Sequence, residues 1–172
     1  MTLAPIIETE RLRLRPLGAE DFQPLCEFYA SDRARFVGGP KDAEASWRTL
    51  ASEIGHWTLR GYGRLGVEEQ GTGALCGLVG PWNPHGWPEP EIGWDLMNGF
   101  EGKGYATEAG RAARNYVYDV LGWTTTVSLI AIGNDGSRGV ARRLGAKMER
   151  HYTHSRFGEM EIWRHPGPEA LA

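Results

Sequence analysis

The sequence predicts a mixed α/β fold of the α+β kind, with a mostly antiparallel central sheet of about seven strands flanked by about four helices. The first observation is the order of hydrophobic periodicities, which reads β-α-α-β-β-β-α-β-α-β-β. The second is that several consecutive strands are joined by short turns, which favours antiparallel pairing over a doubly wound parallel sheet. With 172 residues, we expect one domain over residues 1–165 and a loosely ordered tail over residues 166–172.

The first half of the chain supplies a strand, two helices and a hairpin. Residues Thr9–Leu17 alternate arginine with leucine, which predicts a strand with one buried face. Ala19–Ala30 is predicted to be a helix, and a second helix follows the capping residue Asp42, because apolar residues recur there at helical spacing. Residues Tyr62–Glu69 and Ala74–Trp82 then read as two strands joined by a glycine-containing turn.

The loop Pro81–Pro90 (PWNPHGWPEP) contains four prolines and two tryptophans. Prolines in this number exclude regular structure, and two exposed tryptophans would be costly without a function. Two interpretations remain open: the loop is a lid packed on its own core, or it forms part of a substrate-binding surface.

The stretch Glu91–Ala109 (EIGWDLMNGFEGKGYATEA) reads as a strand, a glycine-bearing loop and the opening of a helix. The first N–H groups of a helix lack intrahelical acceptors, and the aligned peptide dipoles add partial positive charge there. Gly102 and Gly104 carry no side chain that would keep a phosphate away, and Lys103 adds a mobile positive charge. The sequence therefore predicts an anion site, although a plain strand-to-helix connection has the same glycines.

The last third of the chain continues with a strand, a helix and two further strands. Thr124–Ile132 is rich in β-branched residues and is predicted to be a buried strand. After a turn, Ser137–Leu144 is predicted to be a short helix closed by glycine. Two final strands are expected near Lys147–Thr153 and Phe157–Arg164.

Composition and charge exclude several classes of function. The net charge of −3 argues against broad nucleic-acid binding, although three arginines close in sequence (Arg138, Arg142 and Arg143) leave a local patch possible. No apolar run approaches the roughly 20 residues that span a bilayer. The start of the chain lacks the layout of a secretory signal, and the two cysteines form no disulfide framework, so we expect a cytoplasmic protein. His151 and His154 should point to opposite faces of a strand, so no metal site is expected.

Two common phosphate-binding motifs do not fit the glycine loop. In a Walker motif the lysine is followed by Ser or Thr, but Lys103 is followed by Gly104. A Rossmann fingerprint needs a third glycine where Thr107 stands, and the run of strands before the loop breaks the βαβ order.

The loop does resemble the pyrophosphate loop of the GNAT superfamily of acyl-CoA-dependent N-acetyltransferases. GKGYATEA (Gly102–Ala109) is similar to the form found in the branch that acetylates ribosomal-protein N-termini, and ETERLRLRPL (Glu8–Leu17) is similar to that branch's first strand. The segment from Asn134 to Ala146 resembles its N-x-x-S…L-G-F/A motif. Gly99 and Glu101 depart from the family pattern, which has Gln or Arg and often an aromatic residue at these positions.

The resemblance implies a GNAT-like fold and acetyl-CoA as cosubstrate, with no metal. Glu91, at the start of the fourth strand, is the candidate general base, with a water relay as the alternative, and the resemblance implies that Ser137 donates a proton to the CoA sulfur. An exposed strand-end carboxylate and a helix N-cap are the respective alternatives. Asn134 is expected either to contact the cofactor or to form a turn. Asp95, Leu96 and Met97 are implied to bind the cofactor mainly through their backbone. The other cofactor-binding residues implied are Gly102, Lys103, Gly104, Tyr105, Ala106, Thr107 and Arg142, with Arg143 as the alternative to Arg142 and a solvated helix charge as the alternative role of either arginine.

The resemblance also implies the reaction, in which an acetyl group passes directly to a primary amine, either a protein N-terminal α-amine or a small-molecule amine. Phe36, Trp82 and Trp87 are the candidate residues for binding this acceptor. Neither cysteine has a partner that suggests a nucleophile, so no acyl-enzyme is expected. We expect a monomer or a homodimer that binds neither nucleic acid nor membrane. The alternative function is a CoA-binding sensor or interaction module that retains the fold without turnover.

Overall fold

The structure, a computed structural model, describes residues 4–172. Over this range the chain forms eight strands and four α-helices. The strands are β1 (Ile7–Glu8), β2 (Leu12–Arg15), β3 (Leu65–Glu69), β4 (Leu75–Trp82), β5 (Glu91–Leu96), β6 (Val127–Ala131), β7 (Lys147–His154) and β8 (Gly158–Arg164). The helices are α1 (Phe22–Ala30), α2 (Ala43–Arg60), α3 (Tyr105–Asp119) and α4 (Asp135–Arg143).

The strands form one sheet in the order β1-β2-β3-β4-β5-β6-β8-β7. All neighbours pair antiparallel except β5 and β6, which are parallel. The predicted α+β architecture is confirmed, with eight strands where about seven were expected. The extra strand, β1, lies before the predicted first strand: Ile7 and Glu8 pair with Leu14 and Arg13 across a turn in which the Thr9 N–H donates to the carbonyl of Leu12 at 2.9 Å.

β5 and β6 separate almost as soon as they meet, with a single paired position, Glu91 with Val127. At the point of separation, hydrogen bonds from side chains replace the missing backbone hydrogen bonds between β5 and β6. The Ser128 hydroxyl donates to the carbonyl of Ile92 at 2.6 Å, and the Glu91 carboxylate accepts from the Leu129 N–H at 2.8 Å. The sheet is thus held open beside β5, and the gap positions the site described below.

Two clusters of buried side chains hold the helices to the sheet. α3 contributes alanines and Val117 to the larger cluster, in which they pack against leucine, valine and isoleucine side chains of β2, β3, β4 and β5. The second cluster joins α1 and α2 to β4 through Leu25, Phe28, Leu50 and Leu78. At ~25 cal/mol for each Å² of apolar surface removed from water, such burial is the main term that stabilises the fold.

Several element boundaries differ from the expected ones. α4 begins at Asp135 rather than Ser137, because the Asn134 side chain caps the helix by accepting from the Ser137 N–H at 3.2 Å. The interpretation of Ser137 as an N-cap is therefore wrong. Residues Pro168–Ala170 form a 3₁₀ turn, and the domain boundary at residue 165 stays a prediction. In the part of the chain that the structure describes, no helix has both the length and the apolar character to cross a bilayer.

Candidate active site

Two cavities meet beside β5. The helix cleft, about 900 Å³, is lined by the loop before α3 and by the first turns of α3 and α4. The aromatic cavity, about 870 Å³, lies between α2, the loop after β4 and the turn between β7 and β8. Six residues line both cavities and mark their junction: Phe36, Val37, Trp94, Asp95, Asn134 and Ser137.

The helix cleft ends on the N-terminus of α3. Gly104 precedes the helix with φ +82°, and Gly102 has φ +76°, so both occupy the left-handed region that favours glycine. The N–H groups of Tyr105, Ala106 and Thr107 lack intrahelical acceptors because they begin the helix. No side chain caps the helix, so no capping side chain accepts from them either. A Cβ on Gly102 would meet open space, which shows that its backbone conformation, rather than steric room, requires glycine there.

Positive side chains approach this N-terminus from three directions. Lys103 lines the cleft, and its Nζ lies 3.6 Å from Glu69 Oε1. Arg143 also lines the cleft and donates from Nε to the hydroxyl of Thr107 at 3.1 Å. Arg142, selected from the sequence, instead lies over the ring of Trp163 at 5.4 Å and does not line the cleft. The structure therefore brings Arg143 to the cleft, on the face of α4 that carries Ser137 and Val140 at steps of three residues.

The third cation is Arg33, which sequence reasoning missed. Its Nε and Nη2 donate to the carbonyl of Leu96 at 3.1 and 3.0 Å, and Nη1 lies 3.4 Å from Glu101 Oε1. The Glu101 carboxylate, which departs from the family pattern, is thus paired within the protein. Backbone N–H groups of its own loop and the charge of Arg33 lower the pKa of Glu101. No local sequence motif marks Arg33, because its partners are more than sixty residues away.

The three consecutive residues expected along the cofactor separate in the structure. Asp95 and Leu96 line the helix cleft. Met97 does not: its side chain is buried in the core, and its N–H donates to the carbonyl of Cys76 at 3.0 Å. β5 ends at Leu96, and the chain there turns its next side chain inward.

Glu91 lies at the start of β5 and lines the aromatic cavity. Only 6% of it is exposed, so the alternative of an exposed strand-end carboxylate is wrong. Burial raises the pKa of Glu91 to about 7, against the opposing effects of the Leu129 N–H and the charge of Arg64. A carboxylate with this pKa is divided between its two protonation states near neutral pH, as a general base requires.

The raised pKa of Glu91 makes stability depend on pH. The folded protein holds a proton up to about pH 7, whereas the unfolded chain releases it near 4.5, so stability falls as pH rises through this window. Gln in its place stays neutral and can still accept from the Leu129 N–H. We expect Glu91→Gln to be more stable than wild type at pH 8, by up to roughly 3 kcal/mol, and about equal at pH 4.5. Urea unfolding at both pH values measures this, and a pH-independent difference would contradict it.

A buried cluster of three charged side chains lines the aromatic cavity together with Glu91. Arg64 pairs with Glu53 on α2 and, through Nη1, with Asp95 Oδ2 at 2.8 Å. Burial acts to lower the pKa of Arg64, but Glu53 and Asp95 outweigh it and raise that pKa well above its usual value. Removing either partner of such a pair would leave a buried charge uncompensated. The ion pairs with Arg64 therefore hold the Asp95 carboxylate in place. Glu53 and Arg64 carried no recognisable signal in the sequence.

Ser137 is held at the junction by the side chain of Trp94. The indole N–H donates to the Ser137 hydroxyl oxygen at 3.2 Å, and an indole has no acceptor. The Ser137 O–H is therefore left free to donate to a group in the cavities. Asn134 lines both cavities and also caps α4, so its two expected roles are compatible.

The three aromatic residues selected from the sequence all line the aromatic cavity. Trp82 is stacked on His56 with ring centroids 4.4 Å apart. Trp87 contacts Phe157 and His154 on the turn between β7 and β8, at 5.7 and 4.9 Å. The loop after β4 thus packs on the protein and lines a cavity at once, so its two interpretations do not exclude each other.

Among residues 4–172, no three His, Cys, Asp or Glu side chains are grouped to hold a metal ion. His151 is exposed and His154 is buried, as opposite faces of β7 require.

Comparison with known proteins yields one consistent family. A family model described as "Acetyltransferase (GNAT) domain" matches residues 11–147. The Bacillus subtilis protein "Putative ribosomal N-acetyltransferase YdaF" is 30% identical over 146 residues, covering 79% of this chain and 78% of that protein. The crystal structure of an acetyltransferase from Agrobacterium tumefaciens is 35% identical with a TM-score of 0.86, covering 94% of each chain. The fold also resembles RimL, a ribosomal L7/L12 alpha-N-protein acetyltransferase in complex with coenzyme A (17% identity, TM-score 0.76, covering 93% of this chain and 97% of RimL).

Proposed function

The chain belongs to the GNAT acetyltransferase family, and on that premise we propose that it transfers an acetyl group from acetyl-CoA to the N-terminal α-amine of a protein or peptide. The main support for the proposal is the observation that the two cavities meet at Asn134 and Ser137. One cavity has the chemistry to hold an anionic cosubstrate, and the other is lined with aromatic side chains. A sensor without turnover is not favoured, because the family is one of acetyltransferases.

The helix cleft fits the pyrophosphate of CoA on the residues present. Glycines in the left-handed conformation leave the backbone of the loop accessible to an anion. The N-terminus of α3 offers N–H donors and partial positive charge. Lys103 and Arg143 line the same cleft and add full positive charges. We therefore assign the pyrophosphate to the N–H groups of the loop and the first turn of α3, with Arg143 in the role first assigned to Arg142. When bound, acetyl-CoA supplies the thioester from which the acetyl group is transferred.

Glu91 is the proposed general base for the acceptor amine. It lines the aromatic cavity on the same face of β5 as Asp95, and it takes the amine proton directly or through one water. At pH 7 an α-amine needs only about 1 kcal/mol to lose its proton, whereas lysine needs about 4–5 kcal/mol. A carboxylate with a pKa of about 7 suits the α-amine better than the lysine. The curated relative whose name describes a ribosomal N-acetyltransferase supports a protein acceptor.

Ser137 is the proposed proton donor to the departing sulfur. As the amine nitrogen bonds to the acetyl carbon, the carbon–sulfur bond breaks, the Ser137 hydroxyl passes its proton to the departing sulfur, and a water returns a proton to the serine oxygen. We expect Ser137→Ala to lower kcat by about 10- to 100-fold while changing the Kd of CoA less than threefold, since general acids contribute on this order. Steady-state kinetics and calorimetry measure the two effects. Ser155→Ala, an exposed serine lining the aromatic cavity, is the control, and an unchanged kcat in Ser137→Ala would remove this role.

A panel assay tests the proposed function as a whole. The protein is incubated with acetyl-CoA and peptides with free N-termini, the same peptides blocked at the N-terminus but containing lysine, and small amines. We expect thiol release with free N-terminal peptides and little with blocked ones. Release only with blocked peptides or small amines would contradict the α-amine acceptor.

A further inference from the structure

Some of the charged side chains that line the aromatic cavity have a partner of opposite charge, and others do not. Among its acidic residues, Glu53 and Asp95 pair with Arg64, and the Asp42 carboxylate caps α2 by accepting from the Ala45 N–H at 2.8 Å. The fourth, Glu91, accepts from the Leu129 N–H.

Two of the cations that line the cavity have no carboxylate partner within the described residues, Lys41 and Arg156. Lys41 Nζ lies 4.1 Å from the centre of the Tyr29 ring and donates to the Thr49 hydroxyl at 2.9 Å. The Arg156 guanidinium lies over the ring of Phe157 at 5.3 Å. Burial and the like charge of Arg156 both lower the pKa of Lys41. Two cations that repel each other in one cavity favour an anion between them.

The rings of Trp87 and Phe157 line the same cavity as these cations and Glu91. The indole Nε1 of Trp87 is buried and has no hydrogen-bond partner among the described residues. The Trp87 and Phe157 rings are 5.7 Å apart, and a Cβ placed on Gly38 would lie 3.0 Å from Phe157 and 3.9 Å from Lys41 Cε. An acceptor with its amine at Glu91 would extend along these rings toward the cations that line the same cavity.

We propose that Lys41 and Arg156 form an anion subsite that binds a carboxylate of the acceptor, so that the preferred acceptor carries an acidic group a short distance from its α-amine. The proposal rests on the proposed function and adds a substrate class to it. In a peptide the carboxylate comes from Asp or Glu within the first few residues, and in a free amino acid it comes from the α-carboxyl group. The guanidinium of Arg156 suits a carboxylate because its planar fork offers two parallel donors.

Matched peptides test the subsite. Two N-terminal peptides differ only by Asp or Asn at the third position, and a free amino acid and its amide form a second matched pair. We expect wild-type kcat/KM to be about tenfold higher for the Asp peptide, the size of one charge-assisted interaction. The preference should shrink as ionic strength rises, because the Arg156 side chain is exposed.

Variants assign the preference to the subsite. Arg156→Gln should remove the difference between the Asp and Asn peptides, and Arg156→Glu should reverse it in favour of a Lys peptide. Arg111→Gln is the matched control, since Arg111 is exposed on α3 and lines neither cavity. Binding of the acetylated product peptides, followed by quenching of tryptophan fluorescence, gives a readout independent of turnover, because Trp82 and Trp87 line the cavity.

The outcomes separate the subsite from the proposed function. Equal acetylation of the Asp and Asn peptides by wild type overturns the subsite and leaves α-amine transfer standing. A preference that Arg111→Gln removes as well as Arg156→Gln also overturns it, because net charge alone would then explain the effect. A third outcome is that wild type acetylates the free amino acid but no peptide, and that only the Arg156 variants lose this activity. This outcome supports the subsite and refutes the peptide acceptor.

Discussion

Replacing Gly104 by valine is expected to weaken CoA binding by at least about 100-fold, since backbone donors at a helix N-terminus are the main anion contacts of this cleft. Gly104 has φ +82°, a conformation in which a β-branched residue is strained, and relief of that strain would turn the first N–H groups of α3 away from the cleft. A Cβ on Gly104 would lie 3.5 Å from Arg11 Nη2, an ordinary contact distance, so backbone strain rather than a clash is the expected effect. Isothermal titration calorimetry with CoA measures the loss.

The control for Gly104→Val separates strain from binding. Gly73, in the turn between β3 and β4, has φ +73° and no atom within 4 Å of an added Cβ, so Gly73→Val has a similar backbone strain far from either cavity. We expect the two variants to lose similar thermal stability and only Gly104→Val to lose CoA affinity. Full affinity in Gly104→Val would show that the loop does not bind the pyrophosphate.

Replacing Glu91 by glutamine is expected to lower kcat/KM about 100-fold at pH 7, the order that general bases contribute. The substitution keeps an acceptor for the Leu129 N–H, so the separation of β5 and β6 is preserved. In wild type, kcat/KM should rise steeply with pH below about 7, because Glu91 and the α-amine must both lose a proton there, and less steeply up to about 7.7–8, the pKa of the α-amine. In the variant, only the shallower rise due to the α-amine should remain.

Glu159→Gln is the matched control for Glu91, because Glu159 is exposed on β8 and lines neither cavity. It should retain wild-type activity and the wild-type pH profile. If Glu91→Gln kept the wild-type rise near pH 7, another group would be the base.

The sequence was sufficient for the fold and for the glycine-bearing turn into α3, because both depend on local patterns. Alternating residues define the strands, and two glycines before a run of helical periodicity define the α3 N-terminus. The family resemblance added the order of elements around that loop, and the acetyltransferase class and cosubstrate are confirmed by the family match. The roles given to Glu91 and Ser137 stay predictions, although the structure brings both beside the cavities.

The sequence could not predict contacts between residues far apart in the chain. Arg33 reaches Leu96 and Glu101 from the loop after α1, and Arg64 joins Glu53 to Asp95 across three elements. The choice between Arg142 and Arg143 depended on the exact rotation of α4, which spacing in a nine-residue helix does not settle. The sequence also did not show that the Met97 side chain faces the core, since this depends on where β5 ends, and the expected contact of its backbone with the cofactor stays a prediction.

A structure with CoA and an N-acetylated product peptide would test the central claim most directly. We expect the CoA sulfur within hydrogen-bonding distance of the Ser137 hydroxyl at the junction of the two cavities. The pyrophosphate should contact the N–H groups of the loop and the first turn of α3, and the acetylated nitrogen should lie on the Glu91 side of the junction. A sulfur held outside the junction, or a peptide bound outside the aromatic cavity, would contradict the account.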